Sequence, residues 1–249
     1  MNKKLLQGDS VKNNFIYQFL YQFVILVIPL IVSPYLTRTL GSEPLGIYTY
    51  TNSIAYYFVL VAMLGIGKHG QRIIAERKSD EQALRKTFWS LFTFHLGVSL
   101  VVFLLYLCYA IFLCNEDKSV TIAQSIYVLS ACFDITWLYQ GLEKFKTVVI
   151  RNAVLKVLEC IAIFTFVKTP DNLLIYTIIM ATSLCIGQFV LVPSTVKAIP
   201  PVRFGKNDVT EHLKPMSVLF VAAIAASLYT VFGKTLLGGS CNEGRCCFL

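Results

Sequence analysis

The stretch VVIRNAVLKVLECIAIFTFVK, residues 148–168, has the length and apolar content of a membrane-spanning helix, yet charged side chains lie inside it. They are Arg151, Lys156 and Glu159, the last two near its middle. On an insertion scale the apolar residues contribute roughly −4 to −7 kcal/mol, and three central charges would cost about +7 to +10 kcal/mol. This helix is therefore marginal alone in lipid, and we expect it to need partner helices or water along one side.

The rest of the chain has the composition of an integral membrane protein. Of its 249 residues, 56% are hydrophobic and only 14% are charged, and the mean hydropathy is +0.65. Seven windows are long enough to cross a bilayer, at 14–37, 45–67, 87–113, 119–140, 147–167, 172–193 and 216–236. These windows predict an all-α, polytopic membrane helical bundle.

The positive charge is distributed in a way that predicts topology rather than a nucleic-acid partner. The net charge is +8, and Lys and Arg concentrate in the N-terminal tail and near 68–86, 144–151 and 197–214. The alternate loops hold few cations. This asymmetry follows the positive-inside rule and predicts a cytoplasmic N-terminus, with the C-terminal residue on the outer side after seven spans.

Several functional classes find no support in the sequence. The eight cysteines lack the spacing of a metal site. The segment VFGKT at 231–235 ends like a phosphate-binding loop, but Leu228 occupies the position of its first glycine. We therefore expect no enzyme activity, no cofactor and no metal, and any transport would run on a gradient or a partner.

Helical spacing sorts the polar residues of the fifth window onto one side. With about 100° per residue, Arg151, Asn152, Lys156 and Glu159 fall within roughly 140° of one another. One interpretation is a hydrated cavity, because charges at that depth normally face a pathway or a partner. The alternative is structural, because Lys156 and Glu159 are three residues apart and can pair with each other.

Similar polar stripes occur on other windows. The first carries Gln18, Gln22, Pro29 and Ser33, the second Tyr48, Asn52 and Tyr56, and the fourth Tyr127, Ser130 and Asp134. Prolines inside a span free backbone groups near a cavity in many transporters. Interhelical hydrogen bonding in a tight bundle remains the alternative for these stripes.

Two long segments carry a resemblance to a known family. They are SPYLTRTLGSEPLGIYTYTNSIAYYFVLVAMLGIGKHGQRIIAERKSD and DITWLYQGLEKFKTVVIRNAVLKVLECIAIFTFVKTPDNLLIY. Both resemble bacterial O-antigen and capsule polysaccharide flippases of the multidrug/oligosaccharidyl-lipid/polysaccharide exporter superfamily. The resemblance runs from about residue 10 to 237, and its motifs are characteristic together rather than singly.

The resemblance implies a fold of twelve or more helices in two lobes around a central cavity. Residues 1–196 would form the N-terminal six-helix transmembrane lobe. Residues 197–237 would form a cytoplasmic loop and the first helix of an incomplete second lobe, and 238–249 an atypical tail. The implied location is the bacterial cytoplasmic (inner) membrane, among membrane lipids.

The resemblance also implies a function. It is movement of an undecaprenyl-pyrophosphate-linked oligosaccharide from the cytoplasmic to the outer leaflet for O-antigen or capsule synthesis. Transport would be coupled to an ion, a proton or sodium, and the polysaccharide polymerase and glycosyltransferase machinery are possible partners. A multidrug or small-solute antiporter of the same superfamily, or a non-transporting membrane assembly subunit, are the alternatives.

Candidate site residues follow from joining the polar faces to this implied substrate. Arg151 and Lys156 would bind the pyrophosphate, because cationic groups match its charge. The sugar would contact Gln22, Asn52, Tyr56 and Tyr127. Asp134 and Glu159 would carry the coupling ion or balance the cations. Arg38, in the motif PYLTRTLG, would receive the pyrophosphate late in the cycle or anchor its loop.

The C-terminal tail GGSCNEGRCCFL, residues 238–249, does not resemble the family and holds three of the eight cysteines. We expect a truncated product of a frameshift, inactive for flipping on its own. A lipidated C-terminus, suggested by CCFL, and a plain terminal tail are the alternatives. Reading the gene past codon 249 in the other frame tests this expectation.

Overall fold

The computed structural model describes residues 11–114 and 117–240, with side chains at 19, 22, 23, 25–114, 117–205 and 207–227. The helices are α1 Val11–Thr39, α2 Ser42–Met63, α3 Ile66–Arg77, α4 Glu81–Cys108, α5 Lys118–Ala131, α6 Thr136–Gly141, α7 Phe145–Phe166, α8 Leu173–Ala198 and α9 Lys206–Ser240. A π-helical turn, Tyr109–Leu113, extends α4, and a 3₁₀ turn, Pro170–Asn172, precedes α8. No β-strand occurs in these described ranges.

The helical segments confirm an all-α, polytopic membrane bundle. Five are long and apolar enough to cross a bilayer: Ser42–Arg77, Glu81–Leu113, Lys118–Gly141, Pro170–Ala198 and Asn207–Ser227. Helix α1 contributes a shorter apolar stretch, Ile25–Thr39. Helix α7 covers 22 residues, but its charged side chains set it apart from the apolar spans. Each of the seven sequence windows thus coincides with helix, and the chain is a multi-pass membrane protein.

The second window is not one continuous helix. Helix α2 ends at Met63, and Leu64 and Gly65 both adopt left-handed conformations, with φ of 40° and 74°, before α3 begins. A Cβ atom at Gly65 would lie 2.4 Å from the backbone oxygen of Met216 on α9. Only glycine fits here, because the conformation and the close backbone approach both exclude a side chain.

The fourth window is also interrupted, between α5 and α6. The N–H groups of Cys132, Phe133 and Asp134 donate to carbonyl oxygens three residues earlier in the chain. The Asp134 carboxylate then accepts the Thr136 N–H at 2.9 Å in an Asx turn that leads into α6. The local chain therefore leaves the α-helix for about one turn inside an apolar segment.

Helices α3 and α6 pack against each other through glycine. A Cβ atom at Gly70 would lie 2.6 Å from the Trp137 ring, and one at Gly141 would lie 2.7 Å from the Gln71 oxygen. Trp137, Phe88 and Ile199 belong to the largest buried cluster, which joins α3, α4 and α6 to the end of α8. This cluster fixes the end of the bundle from which α9 begins.

Helix α7 lies at the edge of the bundle, against α1 and α8. Ile163 packs with Val32 and Leu36 of α1 and with Tyr176 of α8. On the opposite side of α7 the apolar side chains are exposed, namely Ile150, Val154, Val157, Leu158 and Ile161. One face of α7 is therefore available to lipid, and the other meets the interior of the bundle.

Candidate functional site

A polar cavity of about 310 Å³ lies where α6, α7 and α8 meet the end of α2. Its charged lining consists of Asp134, Arg151, Lys156 and Glu159. The rest of the lining is Met63, Gly67, Thr136, Trp137, Gln140, Asn152, Leu155, Ser183, Leu184, Gly187 and Gln188. The polar face of α7 predicted from helical spacing thus borders this cavity.

Arg151 is held by oxygen atoms from two helices. Its Nη1 donates to the Gly187 carbonyl at 2.8 Å and to Gln188 Oε1 at 3.2 Å, both on α8. Its Nε and Nη2 donate to Asn152 Oδ1 at 2.9 and 2.6 Å. Gln188 Oε1 also accepts from the Thr136 hydroxyl at 3.2 Å, which connects α6 to the same group. The guanidinium is therefore fixed in orientation at the cavity wall.

Lys156 and Glu159 form an ion pair one turn further along α7. Lys156 Nζ lies 2.6 Å from Glu159 Oε1. The side chain of Glu159 is only 6% exposed, whereas that of Lys156 is 32% exposed. The carboxylate thus stays inside, and the ammonium is the member of the pair that a ligand in the cavity can reach.

Asp134 reaches the cavity from the break between α5 and α6. One of its carboxylate oxygens accepts the Thr136 N–H, as described above, so its position is set by the local chain. The cavity lining therefore contains two cations and two carboxylates, with no formal excess of either.

The other predicted site residues lie outside this cavity. Asn52 Nδ2 donates to Gln124 Oε1 at 3.4 Å between α2 and α5. Tyr127 packs with a cluster around Ala55 and Tyr106. Tyr56 is half-buried beside Tyr57, and Gln22 and Arg38 are exposed on α1. Their proposed contacts with sugar or pyrophosphate stay predictions.

Comparison with known proteins assigns the chain to a family. The profile described as "Polysaccharide biosynthesis protein" matches residues 11–242, nearly the whole chain. The chain belongs to the polysaccharide biosynthesis protein family.

Two curated relatives of this family carry the name "Putative O-antigen transporter". The chain is 26% identical over 235 residues to the one from Escherichia coli strain K12, covering 92% of this chain and 56% of the relative. It is 26% identical over 231 residues to the one from Shigella dysenteriae, covering 91% and 58%. The chain thus spans about half the length of these relatives. No solved structure matches it.

Some polar residues at the cavity of this family member escaped the sequence prediction. Gln188, Ser183 and Gln140 line it, and Gln188 connects three helices. The sequence gives little signal for them, because Ser183 and Gln188 lie about 140° apart on α8, which carries several other polar residues. Among the described residues, no group of three or more His, Cys, Asp or Glu side chains is arranged to hold a metal ion.

The lining of this cavity offers charges of both signs together with hydrogen-bond donors and acceptors. The guanidinium offers a planar fork of donors, the ammonium a compact charge, and the amides and hydroxyls further donors and acceptors. Because each cation is near an oxygen acceptor already, an entering anion must exchange partners with groups of the protein.

Proposed function

We propose that the chain acts in flipping a lipid-linked oligosaccharide, carried on undecaprenyl pyrophosphate, from the cytoplasmic to the outer leaflet of the bacterial inner membrane. The product would serve O-antigen or capsule synthesis. Family membership supports this function, and the observation that carries it is the polar cavity with Arg151 and Lys156 inside an apolar bundle. Because the chain spans about half of its relatives' length, the complete activity is attributed to the protein assembled with a second lobe or a second copy.

In this proposal the two cations of α7 bind the pyrophosphate. Lys156 moves from Glu159 to a phosphate oxygen, and Arg151 exchanges some of its bonds to Asn152, Gly187 and Gln188 for bonds to phosphate. The amides of Asn152 and Gln188 and the hydroxyl of Ser183 hydrogen-bond the first sugar.

The two carboxylates supply the coupling in this proposal. Glu159 loses its cation when Lys156 binds the substrate, and Asp134 lies across the same cavity. A proton or a sodium ion would then compensate the carboxylate charge, because an unpaired buried charge is strongly unfavourable.

Deletion of the gene that encodes this chain tests the proposal. The expected result is accumulation of lipid-linked sugar units in the membrane and loss of surface polysaccharide, with both restored by the wild-type gene. Drug sensitivity with normal polysaccharide would instead indicate an antiporter. Loss of a polymerase or glycosyltransferase complex without accumulation of lipid-linked sugar would indicate an assembly subunit.

A further inference from the structure

The buried imidazole of His95 on α4 contacts the ends of two other helices. Its Nε2 donates at 2.8 Å to the carbonyl of Ala131, the last residue of α5. One turn further along α4, the Ser99 hydroxyl lies 3.4 Å from the carbonyl of Ala62, in the last turn of α2. His95 is 1% exposed and Ser99 0%. The two side chains therefore join α4 to α2 and α5 at the points where those helices break.

The breaks bring two helix C-termini inside the bundle, next to this ring. Helix α2 ends at Met63 and α5 at Ala131, before the non-helical steps at 64–65 and 132–135. Carbonyl groups at a helix C-terminus lack helical donors and favour a positive charge. These ends stabilise an imidazolium at His95 against the cost of burying its charge.

The hydrogen bonds around His95 are complete only with two protons on the ring. Because a carbonyl only accepts, Nε2 carries a proton in every state. The single hydroxyl hydrogen of Ser99 has two possible acceptors, the Ala62 carbonyl and His95 Nδ1, both at 3.4 Å. A proton on Nδ1 makes that nitrogen a donor to the Ser99 oxygen and leaves the hydroxyl hydrogen to Ala62. Every donor of the ring and of Ser99 then has its own acceptor.

Asp134 supplies a negative charge close to the ring. Its N–H also donates to the Ala131 carbonyl, at 3.1 Å, and its carboxylate charge acts on His95. Because Asp134 lines the polar cavity, a proton can approach the ring from that side. Other titratable groups on the helices packed against α4 lie elsewhere: Glu43 and Lys118 at the starts of α2 and α5, Arg77 and Glu211 beside Thr87, and His69 facing His212.

We propose that His95 is a proton-binding site, at Nδ1, that ties the steps after α2 and α5 to α4. With the proton bound, charge-assisted bonds hold both steps; without it, Ser99 can bond the Ala62 carbonyl or the ring but not both. Thr136 and Gly67, just beyond the two steps, border the polar cavity, so the tie reaches the cavity wall. This site is independent of the proposed substrate, and its test needs none.

Nuclear magnetic resonance of the whole chain with isotope-labelled histidine, in nanodiscs of phosphatidylcholine, tests the site. The sequence has three histidines, and the His95 signal is the one lost in His95→Gln. His69→Gln and His212→Gln assign it by elimination if that variant does not fold. We expect protons on both His95 nitrogens at the acid end of a titration from about pH 8 to 5. A ring that keeps one neutral tautomer over the whole range overturns the proposal.

A matched pair of serine substitutions tests the partner of the ring. Ser99→Ala removes the acceptor of the Nδ1 proton and should lower the proton affinity of His95 about tenfold, as for one hydrogen bond to a charged group. Ser90→Ala changes an equally buried serine of α4 that donates to Thr87 in its own helix, and it should leave the titration unchanged. Equal titration curves for the two variants overturn the tie through Ser99.

Hydrogen exchange reports on the steps themselves. At one acid pH, Ser99→Ala should exchange the amide hydrogens of residues 64–66 faster than the wild type, whereas Ser90→Ala should not. Equal exchange in all three chains would mean that His95 takes up a proton without holding the step after α2, which also overturns the proposal. Neither result bears on substrate transport, which the deletion experiment tests separately.

Discussion

His69 on α3 and His212 on α9 face each other, with His69 Nε2 3.0 Å from His212 Nδ1. Both side chains are buried, and their ring centroids are 5.0 Å apart. A hydrogen bond between two imidazoles needs one nitrogen that donates and one that accepts, so at least one ring is neutral. The pair fastens α9 to α3, close to the ion pair of Arg77 with Glu211 at 3.0 Å.

Replacing one histidine of this pair should destabilise the protein. His69→Phe leaves the imidazole of His212 buried without its partner, and we expect a loss of about 1–3 kcal/mol in the free energy of unfolding. Adding His212→Leu should cost less than the sum of the single changes. Unfolding of the detergent-solubilised chain measures these effects, with Arg72→Ala, in an exposed ion pair, as a near-neutral control. Strict additivity would show that the two rings do not interact.

The ion pair on α7 predicts how polysaccharide export should respond when Lys156 and Glu159 are replaced in the chromosomal gene. Lys156→Ala removes the accessible cation and should abolish surface polysaccharide, with membrane levels near normal. If the cation binds the substrate, Lys156→Ala together with Glu159→Ala should also fail. Immunoblots give the membrane level, and staining of surface polysaccharide gives the export. Restored export in the double variant would mean that the pair serves structure alone.

The three nitrogen atoms of Arg151 that donate to Asn152, Gly187 and Gln188 predict that lysine cannot replace it. Arg151→Lys removes the planar fork and should lower the free energy of unfolding by about 1–3 kcal/mol. Arg203→Lys, at an exposed arginine, is the matched control and should change it by less than about 0.5 kcal/mol. Equal stability of the two variants would show that the hydrogen bonds of Arg151 make no net contribution to the free energy of unfolding.

Glycine is required at Gly65 but not at Gly97. Gly65→Ala puts a Cβ atom 2.4 Å from a backbone oxygen at a φ of +74°, so melting temperature should fall sharply. Gly97→Ala in the middle of α4 meets no atom within 4 Å and should stabilise the helix by about 0.5–1 kcal/mol. Thermal unfolding of the two variants in the same detergent makes the comparison. A melting temperature that rises for both would refute the close contact between Gly65 and α9.

Three loops lie on one side of the bundle, which makes the predicted topology testable. Lys78 pairs with Glu143 at 2.8 Å, and Lys86 pairs with Asp208 at 2.9 Å. In a cysteine-free background, Lys78→Cys and Lys206→Cys should resist an impermeant maleimide in intact cells, and Lys118→Cys should react. Labelling of Lys206→Cys from outside would reverse the orientation.

Hydropathy was sufficient to predict the helices but not their interruptions. Each of the seven windows falls on helical segments, although two of the windows contain a break and five segments of the described chain are long and apolar enough to cross a bilayer. The break at Leu64 and Gly65 depends on positive φ angles and on contact with α9, which a hydropathy window does not register. Asp134 was interpreted as a charge in a span, although an Asp can also accept the N–H two residues later in an Asx turn, as it does here with Thr136.

The site was predictable only on the helix that carries charge. The stripe on α7 indicated a polar neighbour, and the structure puts Arg151, Lys156 and Glu159 at one cavity. Such a stripe does not say which other helices complete the cavity. Asn52 and Tyr127 therefore turned out to lie elsewhere, while Gln188 of α8 joined the cavity through tertiary packing. The cysteine-rich end, residues 241–249, lies outside the described residues.

Gly70 and Gly141 couple α3 and α6 into one body. Each glycine lets the other helix approach so closely that the two cannot slide past each other without lifting apart. Both helices are separated from the long helices α2 and α5 by a non-helical step, and Gly67 and Thr136, just past those steps, border the polar cavity. We expect α3 and α6 to move as one unit relative to α2 and α5. Such a movement would change the volume of the polar cavity beside Arg151.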